Sequence, residues 1–498
     1  MKRKVDLLLV NPGNRLEQFA NLSPLATVAQ PLGIAILAAY VREQGFTVDI
    51  IDAEAEFWTP EMAVQAIEEN YEPMMVGLSA FTTKMTAAGK ILQFVKERMP
   101  NVLTITGGHH PSAIPAQTLT QEAVDFVIKG EGFYPMAMLL QSLKEGHDEF
   151  PISGVWYKNK TGEIVGNGQA KGVQNLNDLP MPAWDLLPMS KYRAHHWQTW
   201  DFGLDQSGFS LLFTSLGCPF SCAFCSVNVV YERNAVRYRS PEHVVKDLKH
   251  LVERYGVKHV EIIDDTFTVN YKHVESLCDA IIKAGLGDKL NMWCFARTDR
   301  TEPAFMDKMK RAGINWVFMG FESGDDAILM GVNKKQTVNQ IRRALENVNR
   351  AGIHVGGNFV FGWPEDTEET MQETLKLALE ICPEYANFFI FMAYPGTPLR
   401  QWAIQQGFPL PEKWGQYGFF APDALPVRNK NLTAEDILYF RDNAFNRFYN
   451  SKDYQIKIEQ VFGRQIKDFL NSQVLTKQIK RTRLEGYNPR PDFPKTQE

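Results

Sequence analysis

Three cysteines fall within eight residues, Cys218, Cys222 and Cys225, behind Gly217 and with Pro219 inside the run. Thiolates bind iron, and three on one short loop can hold three corners of a cubane cluster, leaving the fourth iron to a small chelating ligand. Two other readings stand beside this one. A structural zinc site would need a fourth ligand, and the nearest histidines in sequence are His195, His196 and His243. Buried structural cysteines seldom come as three in one loop marked by glycine and proline. Cys278, Cys294 and Cys382 are scattered singly, and no cysteine precedes Cys218 or follows Cys382. Six cysteines in 498 residues are too few for a disulfide scaffold.

Other residues suited to ligands recur after apolar runs. Downstream of the cysteines they are Asp264 and Asp265, then Arg297, then Gly320, Glu322 and Ser323, then Gly356, Gly357 and Asn358. Arg297 suits a ligand carboxylate or a substrate anion; Asp264 and Asp265 would also serve as helix caps, and Glu322 as a buried ion-pair partner. Upstream they are Asn11 and Pro12, Ser79, Gly107 with Gly108, His109 and His110, and Gly130 with Glu131. Glycines there let a bulky planar ligand approach the backbone, though turns alone also call for them.

The elements carrying these residues form two α/β runs. In residues 1–145, strands are expected at 5–10, 47–51, 74–79, 102–106 and 126–128, separated by helices at 33–44, 61–69 and 83–98, with a last helix to about 143. Apolar strands alternating with helices imply a doubly wound, flavodoxin-like parallel sheet, with ligands beyond the strands' carboxyl ends. Residues 146–205 read as a connector rich in aromatics and of weak periodicity. Residues 206–400 hold a second run, with strands at 211–214, 259–263, 292–295, 316–321, 354–361 and 387–391 and helices between them. That pattern predicts a partial (β/α)6 barrel with chemistry at its carboxyl ends. Residues 401–498 read as mainly helical, with the last dozen disordered.

Composition sets broad limits. A net charge of −5 argues against a chain that coats nucleic acid. No run is apolar for the length of a membrane span, and the six-residue run at 5–10 is too short for a signal-peptide core, so a cytoplasmic protein is expected.

The Cys218-x3-Cys222-x2-Cys225 spacing closely resembles the signature of the radical SAM superfamily, and the next 190 or so residues resemble its barrel. The resemblance implies a 4Fe-4S cluster on the three cysteines and S-adenosylmethionine on its open iron. It places Asp264 and Asp265 near the methionine amino group, Glu322 and Ser323 at the methionine moiety or ribose, and Gly356 and Asn358 on the adenine side. The N-terminal run resembles the cobalamin-binding domain of the cobalamin-dependent subclass, implying cobalamin held by the loops of Asn11, Pro12, Ser79, Gly107, Gly108, His109, Gly130 and Glu131. The Asp-x-His-x-x-Gly sequence of methionine synthase-like domains is missing, so cobalamin without a protein nitrogen on cobalt is expected.

Methylthiotransferases carry extra cysteines in their N-terminal domain and auxiliary-cluster enzymes carry them at the C-terminus; this chain has neither. The implied chemistry is reductive cleavage of S-adenosylmethionine to a 5'-deoxyadenosyl radical, hydrogen abstraction from an unactivated carbon and methyl transfer from methylcobalamin. The substrate would be small or natural-product-like, with flavodoxin or ferredoxin as electron donor. Ring closure, ring contraction or oxidation without methyl transfer is the nearest alternative, and a zinc-stapled binding protein the alternative of another class.

Overall fold

The computed structural model describes residues 1–231, 236–489 and 493. Most of the C-terminal dozen expected to be disordered therefore lies outside the described residues. Fifteen strands run in chain order: β1 (Arg3–Asn11), β2 (Val48–Asp52), β3 (Tyr71–Ser79), β4 (Leu103–Gly107), β5 (Phe126–Ile128), β6 (Val155–Lys158), β7 (Ile164–Gly166), β8 (Phe209–Leu212), β9 (Ser215–Leu216), β10 (Arg237–Tyr238), β11 (His259–Ile262), β12 (Asn291–Ala296), β13 (Ile314–Glu322), β14 (His354–Phe361) and β15 (Tyr385–Ile390).

The first seven form one sheet in the order β2-β1-β3-β4-β5-β6-β7. Its first five strands are parallel in flavodoxin order. Helices Leu32–Glu43 and Phe133–Lys144 cover one face, and Pro60–Asn70 and Met85–Arg98 the other, each burying an apolar stripe. The segment read as a plain connector departs from expectation here. It supplies β6 and β7, which extend the sheet antiparallel from β5. Both strands are only three or four residues long, below what sequence alternation resolves.

The second sheet has the order β15-β14-β13-β12-β11-β8, parallel throughout. Each crossover holds a helix. Ser240 caps Pro241–Tyr255, Asn270 caps Tyr271–Lys283 and Thr337 caps Val338–Arg350, each accepting a backbone N–H of the first turn. Strand neighbours follow chain order, so β8 and β15 are left as edges with unpaired backbone groups, which must find partners elsewhere. Gln30, from the first α/β region, donates its amide to Phe209 O at 2.7 Å and accepts Leu211 N–H at 3.1 Å. On β15, the Tyr449 hydroxyl bonds both backbone groups of Ala386, and Arg441 Nε donates to Phe388 O at 2.6 Å. Both come from helix Ala434–Tyr449. Side chains from either end of the chain thus seal the open barrel. No helix among the described residues is long and apolar enough to cross a membrane.

Candidate active site

The three cysteines lie on the loop after β9, which pairs with β10 to form a two-stranded flap. Asp264 anchors the root of this loop. It is 1% exposed, and its carboxylate accepts Thr214 N–H at 2.6 Å, Thr214 Oγ1–H at 2.5 Å and Ser215 Oγ–H at 2.7 Å. Asp265 accepts Gly217 N–H at 3.2 Å, one residue before Cys218. Burial and the neighbouring Asp264 push the Asp265 carboxyl up to about 6. The loop is clamped further along: Ala223 N–H donates to Val332 O at 3.0 Å, Ala223 O accepts Leu399 N–H at 3.1 Å, and Asn333 Nδ2 donates to Ser221 O at 2.8 Å.

A charged floor lies against this loop. Glu322 closes β13 with φ +65°, a left-handed conformation that disfavours a β-carbon and is held here by an ion pair to Lys334 Nζ at 2.6 Å. Arg297 donates to Lys334 O and to Asp299, and its guanidinium sits 3.9 Å from the Phe220 ring centroid, between Cys218 and Cys222 in sequence. The Lys334 and Arg297 cations favour the Cys222 thiolate, but burial outweighs them and raises that thiol; burial carries Cys225 to about 12. All three cysteines are free. Among the described residues no three His, Cys, Asp or Glu side chains converge as a single metal ion requires. Thiolates that each hold a different iron of a cluster need no such convergence, whereas a zinc staple does. Three thiols on one short loop fit a cluster that takes three protein ligands and leaves its fourth iron open.

Several expected ligands are already engaged. Asp264 is consumed by the loop root, and Ser323, fully buried, bonds the Thr374 hydroxyl at 3.2 Å. Gly356 and Asn358 do not end their strand; both lie within β14, three to five residues before its last residue, Phe361. A β-carbon at Gly356 would strike the Phe318 ring, and one at Gly357 the Phe321 ring, so these glycines make room for aromatics. Asn358 faces a cavity inside the barrel. Lys334 and Phe220 escaped the sequence reading; the left-handed turn after β13 that returns Lys334 to Glu322 leaves no periodic signal.

At the carboxyl ends of the first sheet, Asn11 donates to Asp52 at 2.7 Å and accepts from Lys84, and Pro12 is buried, so neither side chain is free for a ligand. Ser79 is exposed, and Gly108, at φ +92°, lies so near it that a β-carbon would come within 2.8 Å of the hydroxyl. His109 stacks on Phe81 with centroids 4.9 Å apart, and Phe81 is 59% exposed. Burial lowers His109 to about 4 and His110 to about 3; His110 is tied to Thr82 and packs edge-on to Trp414. An exposed aromatic platform beside small residues fits a flat macrocycle such as a corrin. Gly130, at φ +97°, donates its N–H to Ser112 Oγ. Glu131 departs from its expected role: it is buried, accepts Val173 N–H at 3.0 Å and forms a two-contact ion pair with Arg237 of the flap.

Comparison with known proteins agrees with this geometry. Residues 212–378 match the model of the radical SAM superfamily, and residues 20–140 that of the B12 binding domain. An uncharacterized methyltransferase, PH0819, of Pyrococcus horikoshii is 32% identical over 426 residues, 85% of this chain and 89% of the relative. This chain belongs to the cobalamin-dependent radical SAM enzymes. Its cofactors are a 4Fe-4S cluster, S-adenosylmethionine and cobalamin. It is also similar to the anaerobic magnesium-protoporphyrin IX monomethyl ester cyclase of Rubrivivax gelatinosus, at 27% identity over 74% of this chain and 66% of the relative. Among solved structures, the radical S-adenosylmethionine methyltransferase TsrM from Kitasatospora setae, with cobalamin and 4Fe-4S cluster bound, matches with a TM-score of 0.65 at 19% identity, over 82% of this chain and 75% of that one. The cobalamin-dependent radical enzyme OxsB matches with a TM-score of 0.69 at 17% identity, over 94% and 72%. At these identities the likeness shows the fold.

Proposed function

We propose that this cobalamin-dependent radical SAM enzyme methylates an unactivated carbon of a small molecule. The observation that carries the reading is the bond between its two strand-end faces. The Glu131–Arg237 pair ties the fifth loop of the first sheet to the flap that carries the cysteine loop, so both faces address one space. The methyltransferase likeness at 32% identity supports the outcome.

In this reading Cys218, Cys222 and Cys225 hold the cluster through three thiolates, leaving one coordination position for S-adenosylmethionine. Asp264 and Asp265 fix the loop root, while Lys334 and Arg297 offset the charge of thiolates gathered in a buried place. Glu322 closes the strand facing S-adenosylmethionine, and Ser323, next in the chain and bonded to Thr374, fixes that end. Phe81, His109 and Gly108 offer a platform to the corrin, which takes no protein nitrogen on cobalt. When bound, these groups supply the electron that cleaves S-adenosylmethionine and the methyl group that reaches the substrate carbon. A small one-electron carrier of the flavodoxin or ferredoxin kind supplies the reducing electron, and nucleic acid plays no part.

Anaerobic reconstitution tests this. About four irons and one cobalt per chain are expected, a count the cluster type fixes. Product heavier by CH2 should form together with both 5'-deoxyadenosine and S-adenosylhomocysteine. Cys222→Ala should lose all three products while keeping its circular dichroism. 5'-Deoxyadenosine without S-adenosylhomocysteine would instead favour ring closure or oxidation, the outcome suggested by the cyclase likeness.

A further inference from the structure

The inner face of the second sheet lines a half-open cavity of about 440 Å³, within the usual range for small-ligand sites. Its position follows from the alternation of strand side chains: Trp293, Phe295, Phe318, Asn358, Asn387 and Glu261 all project from one face of the second sheet. Toward the amino ends of the strands, aromatics close the barrel. Trp197 packs on Trp316 at 5.2 Å and Trp200 on Phe462 at 5.3 Å. Toward the first domain the wall is Phe19, Leu22 and Leu25, from the segment that follows β1. The cavity therefore lies between the platform-bearing domain and the inner barrel.

Apart from the half-buried Lys477, its polar groups are neutral or cancelled. Asn358 and Asn387 stand opposite each other on adjacent strands, and Asn387 Nδ2 donates to Asn358 Oδ1 at 3.0 Å. Whichever way the two amides are turned, the pair keeps free N–H donors and free carbonyl lone pairs side by side. Glu261 has Gln198 as its polar neighbour, and burial pushes its carboxyl up to about 8. His195 and His196, in the wall, are held neutral by burial, His196 at about 3. The single buried cation, Arg441, is spent on Phe388 O and Asp442. An anionic group in this cavity would have only the half-buried Lys477 to offset its desolvation, and a purely apolar one would leave the amide pair unsatisfied; both cost free energy.

We propose that this cavity receives the body of the acceptor substrate, and that Asn358 and Asn387 select a neutral planar ring system carrying an adjacent donor and acceptor, as in a lactam or cyclic amide. The inference rests on the catalytic reading above and names the substrate class for that site. The aromatic walls accept the ring faces and the amide pair reads one edge of the molecule.

Calorimetric titration of the cluster- and cobalamin-loaded protein tests it with three probes: 2-quinolone, 2-methoxyquinoline (donor removed) and quinoline-2-carboxylate (charged). 2-Quinolone should bind at least about tenfold tighter than either of the others, roughly the effect of one hydrogen bond won or left unmade. Replacing both amides, Asn358→Leu with Asn387→Leu, leaves neither unpaired and should reverse the order in favour of 2-methoxyquinoline. Should that variant unfold, Asn387→Ser should weaken 2-quinolone about tenfold and leave 2-methoxyquinoline unchanged. Equal binding of the three probes, no binding of any, or a 2-quinolone affinity unmoved by these substitutions would overturn the proposal. Binding is read without turnover, so a protein that binds as stated but adds no CH2 refutes methyl transfer alone.

Discussion

The two levels of the barrel treat buried polarity in opposite ways. Around the cysteine loop the polar groups are charged and matched: Glu322 with Lys334, Arg237 with Glu131, and Asp264 with three donors at the loop root. One level down, in the cavity, charge is suppressed, with amides, neutral imidazoles and a carboxyl that burial keeps protonated. The first arrangement suits a loop that must be held in place while thiolate charge gathers on it. The second suits a chamber in which a reactive intermediate meets a neutral molecule and little water. Charged networks fix geometry at a desolvation cost, whereas neutral apolar walls leave shape and a few hydrogen bonds to discriminate.

If matched charge fixes the upper level, removing one partner there should do the most harm. Arg237→Met strands Glu131 in a buried place, and the expected loss is about 3–5 kcal/mol, the usual effect of breaking a buried pair from one side. Adding Glu131→Leu should recover most of that stability in denaturant titration. Product formation should stay low in the double variant, because the tie between the two strand-end faces is still missing. Full activity in the stable double variant would show that the pair supports folding alone.

A smaller effect is expected at the loop root. Asp264→Asn keeps shape and volume but places an amide among donors, and about 1–3 kcal/mol should be lost. Bound iron should fall well below that of the wild type after identical reconstitution, while the melting transition stays cooperative. An unchanged iron content would mean that the clamps at Ala223 and Ser221 suffice to hold the loop.

The two levels were also unequally legible in the sequence. The cysteines fall within eight residues and follow an apolar run, so spacing alone announces them. The parallel strands of both sheets stand out as apolar runs broken by amphipathic helices, whereas the short antiparallel β6 and β7 do not. Contacts across long stretches of chain left no such trace. Glu131 meets Arg237 across 106 residues, and Gln30 seals β8 across about 180. Gly356 and Gly357, placed by resemblance on the adenine side, have a packing role that the sequence does not reveal: they clear space for Phe318 and Phe321 within a strand. The cavity is assembled from the loop after β1, the aromatic stretch before β8, the second-sheet strands and the C-terminal helices, and no local pattern encodes it. Trp197, in that aromatic stretch, both lines the cavity and packs the barrel floor.

The prediction most specific to the lower level is a pH dependence of stability from Glu261. In the unfolded chain this carboxyl titrates near its ordinary 4.5, and in the folded protein at about 8. Between those values the folded state holds a proton that the unfolded state has released, so stability falls as pH rises through this window and levels off above about 8. The stabilising contribution is thus fully present only below about 4.5. Glu261→Gln cannot ionise and keeps a neutral group of the same shape beside Gln198. Melting curves of the loaded protein between about pH 6 and 8.5 should therefore decline for the wild type and run flatter for the variant, with the two diverging most at the alkaline end. Parallel curves would mean that Glu261 ionises in place, with water or a cation entering the cavity beside it. The contrast between a charged upper level and a neutral lower one would then have to be abandoned, and with it the reason for expecting the chamber to prefer an uncharged substrate.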